Sequence, residues 1–159
     1  LLVAILIPPS FSALRRTRKT VTFTGAAGAG AVGTVAVFTI TGRILIEDLV
    51  AVCATNLTDV GGASEIALGT ASRTTGIFQA TSAPAIDAEE WWNSTNTDIA
   101  QAGPVPMDYG TVANDVGAKS VMLNESIIIT VSVEAVTGGS MVFDVWYKPV
   151  TDDGLLVAA

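Results

Sequence analysis

ESIIITVSVEAVTGGSMVFDVWYKPV, residues Glu125 to Val150, is the stretch on which the fold turns. Ile127, Ile129, Val131 and Val133 alternate with Ile128, Thr130, Ser132 and Glu134. Successive side chains of a strand point to opposite faces, so the first set shares one apolar face. Met141, Phe143, Val145 and Tyr147 likewise share a face against Val142, Asp144, Trp146 and Lys148. Thr137-Gly138-Gly139-Ser140 lies between the two runs and has the residue types of a reversing turn, which predicts a β-hairpin. Burying each large apolar side chain stabilises by about 1.5–3 kcal/mol. A lone hairpin has nothing to bury them against, so a second sheet is expected over it.

The rest of the chain supplies material for that sheet. Thr20–Thr24 reads as a short strand and Gly25–Gly33 as a loop of small residues. Thr34–Thr41 and Arg43–Thr55 read as long strands, with Gly42 as a bend or bulge between them. Asn56–Gly62 is a turn, Ala63–Thr70 a returning strand, Ala71–Gly76 a turn and Ile77–Ser82 a further strand. Turns at intervals of about eight to twelve residues mark a sandwich or barrel. Only Ile86–Trp92 offers a short run of helical period. Thr95–Gly110 carries Gly103-Pro104-Val105-Pro106 and reads as a surface excursion, because alternate prolines exclude a central strand. The expectation is an all-β, antiparallel β-sandwich, jelly-roll-like, over residues 20–159, preceded by an extended arm over residues 1–19.

At 159 residues the chain is long enough for one domain with a real core. Half of its residues are apolar and only 14% are charged, which excludes disorder and favours a subunit packed among others. Four of the eight basic residues, Arg15, Arg16, Arg18 and Lys19, stand together ahead of the first acidic residue, Glu47. From Thr20 onward there are four basic and fifteen acidic residues, a net of −11. Such a run is either a solvated cationic face or an arm that pairs with an acidic neighbour, another copy of the chain included.

Leu1 to Ile7 is apolar and ends at Pro8-Pro9. It is far shorter than the roughly 20 residues that cross a bilayer, and its charges follow rather than precede the apolar run, unlike a secretory signal. Leu1, Leu2, Ile5 and Ile7 are therefore candidates, with the four basic residues, for an arm that docks on a neighbour by strand addition. The tail Leu155–Ala159, after Thr151-Asp152-Asp153-Gly154, is a second apolar end that invites cover.

Chemistry is sparse. Histidine is absent, which removes the commonest general base and transition-metal ligand. No G-x-S-x-G elbow or EF-type calcium loop occurs. Cys53, the single cysteine, excludes an internal disulfide and sits in an apolar run as a small buried hydrophobe. Gly28, Gly30 and Gly33 have dinucleotide-fingerprint spacing, but TVAVFTIT follows where a helix is required. Glu89-Glu90-Trp91-Trp92 places carboxylates beside aromatic rings, so Trp91 and Trp92 are a candidate carbohydrate platform, with Asp87 or Asp108 as further carboxylates. The plainer reading makes them a strand or short helix anchored by a tryptophan. Asn56, Asn93 and Asn124 begin N-x-[ST] triplets, which matter only in a secreted eukaryotic protein. The basic run has no interleaved aromatics and an acidic body behind it, so neither nucleic acid nor membrane is expected as a partner. No catalytic residue, cofactor or metal is assigned.

In GTVAVFTITGRILIEDLVAVCATNL, GTASRTTGIF and SIIITVSVEAVTGGSMVFDVWYKPVTDDGLLV the chain resembles small virion structural proteins of tailed bacteriophages. The shared pattern is a Gly/Ala loop, a strand ending in TGR, a strand into a Thr-rich turn, and a closing WYKP with an acidic turn and short tail. It covers Thr20 to the C-terminus. The resemblance implies a non-catalytic sandwich subunit repeated on a particle assembled in the bacterial host cytoplasm, as a capsid decoration or cement protein. Its partners would be the major capsid protein, other virion subunits and copies of itself. A tail or connector component is the alternative within that class, and a carbohydrate-binding module or adhesin the alternative outside it.

Overall fold

A computed structural model describes residues 13–92 and 121–159, with backbone alone at Val121 and Met122. Among these described residues ten strands form two antiparallel sheets. The first sheet runs β1 (Arg15–Thr22), β9 (Val136–Pro149), β3 (Ile44–Asp59), β6 (Trp91–Trp92), with β7 (Val121–Leu123) also paired to β3. The second runs β10 (Leu155–Ala158), β2 (Gly33–Thr41), β8 (Ile127–Ser132), β4 (Glu65–Gly69), β5 (Phe78–Ser82). The inward faces of both sheets merge into one apolar core, so the chain is an all-β sandwich.

The alternation in Glu125–Val150 is observed, but the hairpin is not. Ile127, Ile129 and Val131 are buried from one side of the core, and Met141, Phe143, Val145 and Tyr147 from the other. β8 pairs with β2 and β4, whereas β9 pairs with β1 and β3. The two runs belong to opposite sheets and cover each other, which a hairpin in one sheet could not achieve. The crossover lies at residues 133–135, just before β9, where Val133 takes a φ of 66°. Val133 therefore leaves the inward face and is 66% exposed.

Thr137–Ser140 lies inside β9 rather than forming a turn. Gly138 opposes Thr58 and Ser140 opposes Thr55, and the register slips between these pairs. Gly139 has a φ of 98°, and a Cβ there would sit 2.3 Å from the carbonyl oxygen of Asn56. Glycine is needed for the close approach of two bulged strands, not for chain reversal. β3 accordingly continues past Thr55 to Asp59, through part of the expected turn.

Two other expectations change. Strand β1 begins at Arg15, so the boundary drawn between residues 19 and 20 falls inside a strand. The tail is likewise built in: β10 pairs with β2 and buries Leu156. β1 and β10 are edge strands of opposite sheets, and side chains bridge them. Thr17 Oγ1 donates to the Leu156 carbonyl at 3.1 Å, Tyr147 Oη donates to the same oxygen at 3.4 Å, and Lys19 Nζ donates to the Ala159 carbonyl. Ile86–Trp92 is not a helix; a single 3-10 turn at Ala83–Ala85 precedes buried Ile86 and β6.

Candidate functional site

The outward face of β1 and β9 carries a charged cluster that joins distant parts of the chain. Arg16 opposes Trp146 and Arg18 opposes Asp144 in the strand register. Both arginines close on Asp144, with Arg16 Nη2 2.7 Å from Oδ1 and Arg18 Nη2 2.7 Å from Oδ2. Asp144 points away from the core yet is only 8% exposed, because the two guanidinium groups cover it. The Arg18 hydrogen bonds, with the Arg16 pair behind them, hold its carboxyl below the usual carboxylate range against the opposing effect of burial. Arg16 also stands 5.2 Å from the centroid of the Trp146 ring, a cation–π contact. Beside them Lys148 Nζ pairs with Glu47 Oε1 at 2.7 Å.

The cationic run is thus a strand with its own counterion. Arg16 and Arg18 meet an acidic residue of the same chain, whereas the sequence left open a solvated face or an acidic neighbour. Arg16 and Arg18 face Asp144, whereas Arg15 and Lys19 lie on the other face of β1, opposite Tyr147 and Phe143; Arg15 is exposed beside Leu14, which is 54% exposed. Leu1, Leu2, Ile5 and Ile7 lie outside the described residues.

The tryptophan pair separates. Trp92 is 1% exposed and packs edge-to-face on Phe78 and Phe143, with ring centroids 5.1 and 6.5 Å apart. It is a core residue and cannot be half of a ligand platform. Among the described residues its indole N–H has no hydrogen-bond partner. Trp91 opposes Val52 on the outward face and is partly buried. The nearby carboxylates organise the chain: Glu90 Oε2 accepts from the Asp87 backbone N–H at 2.9 Å, and Asp87 Oδ1 accepts from Asn56 Nδ2 at 2.8 Å. Asn56 Oδ1 in turn accepts from the Ala88 N–H at 2.8 Å. Asp108 and Asn93 lie outside the described residues.

The glycine loop is a packing device. A Cβ on Gly30 would lie 2.2 Å from the Val136 carbonyl oxygen, and the Val136 N–H donates to the Gly30 carbonyl at 2.8 Å. The loop seals the start of β9, and β2 follows it in place of a helix. Cys53 is 1% exposed, with its thiol directed to the Thr55 carbonyl at 3.1 Å, and burial pushes its pKa up. No group of three or more metal-ligating side chains occurs among the described residues.

A second surface went unseen in the sequence. Val32, Val60 and Val133 are 60%, 88% and 66% exposed. All three lie at the end of the sandwich where β2 begins and β3 and β8 end. Asp59, Glu65 and Glu134 stand among them. Glu134 Oε2 accepts from the Gly61 N–H at 3.1 Å, and Asp59 accepts from Gly62 at 2.7 Å and Ser64 at 2.8 Å, tying the turn after β3 to the crossover. Strand alternation placed Val133 in the core; only the positive φ of the crossover turns it out. The chain matches no family model, and no curated protein or solved structure matches it.

Proposed function

We propose that this chain is a non-enzymatic structural subunit of a tailed-bacteriophage particle, of the capsid decoration or cement type. It would be assembled in the bacterial host cytoplasm and act by binding the major capsid protein or other virion subunits. The carrying observation is the kind of surface the sandwich presents. A cationic corner on β1 and an end with three exposed valines among carboxylates are the apolar and charged ingredients of protein–protein contact. The low charged fraction, 14%, and the segments similar to phage virion proteins support the same reading.

Tail or connector placement is the second reading, favoured by the location of those two surfaces at different ends of the subunit. The carbohydrate-binding reading is weakened, because Trp92 is in the core. The test uses the virus that encodes this chain, with its coding sequence deleted, and adds back purified protein. Saturable co-sedimentation with heads, and heads that better survive heating, are the expected results. Binding to tails alone would select the second reading. Folded protein that binds neither would overturn both.

A further inference from the structure

The basic residues of this sandwich lie towards one end, where Glu47, Asp48, Asp144, Asp152 and Asp153 also stand. The described basic residues are Arg15, Arg16, Arg18 and Lys19 in β1, Arg43 at the corner before β3, Arg73 in the turn after β4, and Lys148 near the end of β9. Strand register places the β1 residues beside Phe143–Tyr147, and Lys148 beside Leu45 at the start of β3. The opposite end holds Asp59, Glu65 and Glu134, and none of the described lysines or arginines lies there. It is also where Val32, Val60 and Val133 are exposed.

We propose that this valine tip docks on the β1 corner of a second copy, joining subunits head to tail. Charge complementarity selects the occupant: the tip carries Asp59, Glu65 and Glu134 with no described cation among them, while β1 carries Arg15, Arg16, Arg18 and Lys19 against Asp144 on β9 and Asp48 on β3. Arg15 is exposed and so is Leu14 beside it, so the corner offers an apolar contact and a cation to match valines and carboxylates. The strain at Val133 fits this role. A β-branched residue at a φ of 66° is costly, and glycine or asparagine would hold the crossover at less cost. What valine adds there is an outward apolar side chain. Because the two docking surfaces differ, the contact is heterologous, and repetition yields a ring or an open filament rather than a two-fold dimer. This inference does not rest on the virion reading and is tested on the purified protein alone.

The experiment is light scattering after size exclusion on three variants of the whole chain. Val60→Lys spoils the tip, Leu14→Asp with Arg15→Glu spoils the corner, and Val133→Gly removes one tip side chain while relieving the backbone. The native chain is expected to grow in mass with concentration and to dissociate between about 0.1 M and about 1 M NaCl, as the screening length falls from about 10 Å to about 3 Å. Each variant is expected to weaken association at least about tenfold, Val133→Gly without lowering the melting temperature. An equimolar mixture of the tip and corner variants should give a heterodimer and nothing larger, since one intact tip and one intact corner remain. A native chain that stays monomeric at about 1 mM would overturn the proposal, as would oligomers indifferent to these changes or a mixture that forms no heterodimer.

Discussion

Arg18 and Asp144 are 126 positions apart in the chain and meet across β1 and β9 as a two-pronged ion pair, with Nη2 2.7 Å from Oδ2 and Nε 3.1 Å from both carboxylate oxygens. Bidentate geometry of this kind is stronger than a single surface contact. Asp144→Ala would leave Arg16 and Arg18 side by side on one face of β1 with no counterion. A loss of about 2 kcal/mol in urea unfolding is expected, and Asp144→Asn should recover part of it.

The same pair makes stability depend on pH in a defined direction. The folded-state pKa of Asp144 lies below its unfolded value of about 3.9. Its contribution is therefore complete above that value and is lost as pH falls through the lower, folded value. Melting temperature should drop as pH falls below about 4, and the drop should be smaller in Asp144→Asn. Equal drops in both proteins would locate the acid sensitivity elsewhere, for example at Glu125, which is also held low by hydrogen bonds from Ser72.

Removing residues 1–19 deletes five residues of β1, together with the Thr17–Leu156 bond and both arginine partners of Asp144. A chain beginning at Thr20 should be less stable by at least about 2 kcal/mol than one beginning at Ala13, measured by chemical denaturation. Equal stability would mean that β1 adds nothing to the sandwich.

Trp92→Ala should cost about 3–5 kcal/mol, since it empties the space between Phe78 and Phe143. Trp92→Phe should cost less than half of that, because the indole N–H has no partner among the described residues to lose. Trp91→Ala, on the outward face, should cost about 1 kcal/mol or less. Similar losses at both positions would contradict the placement of Trp92 alone in the core.

Cys53 should resist thiol reagents in the folded protein and react at once in denaturant, because the side chain is 1% exposed and burial disfavours its thiolate. Fast labelling under native conditions would reveal opening of the β3–β6 edge. Gly139→Ala would place a methyl group 2.3 Å from the Asn56 carbonyl oxygen at a φ of 98°, and should lower the melting temperature markedly.

Period-two alternation made the class of fold and most core positions legible, because an apolar face must be covered wherever the strand is placed. Ile127, Ile129, Val131, Met141, Phe143, Val145 and Tyr147 are all read correctly from it. The charge asymmetry between residues 15–19 and the remainder was also legible. Alternation is blind to which sheet a strand joins. The glycine pair at 138–139 has the composition of a turn, yet the structure uses it for close strand approach, and the crossover falls at Val133, which carries no local signal. The counterion of the cationic run, the inward turn of Trp92 and the gathering of Val32, Val60 and Val133 depend on residues brought together across both sheets. A sequence determines each side chain's chemistry and its face on a strand; strand pairing alone decides which face meets the core, which meets a counterion and which remains for a partner.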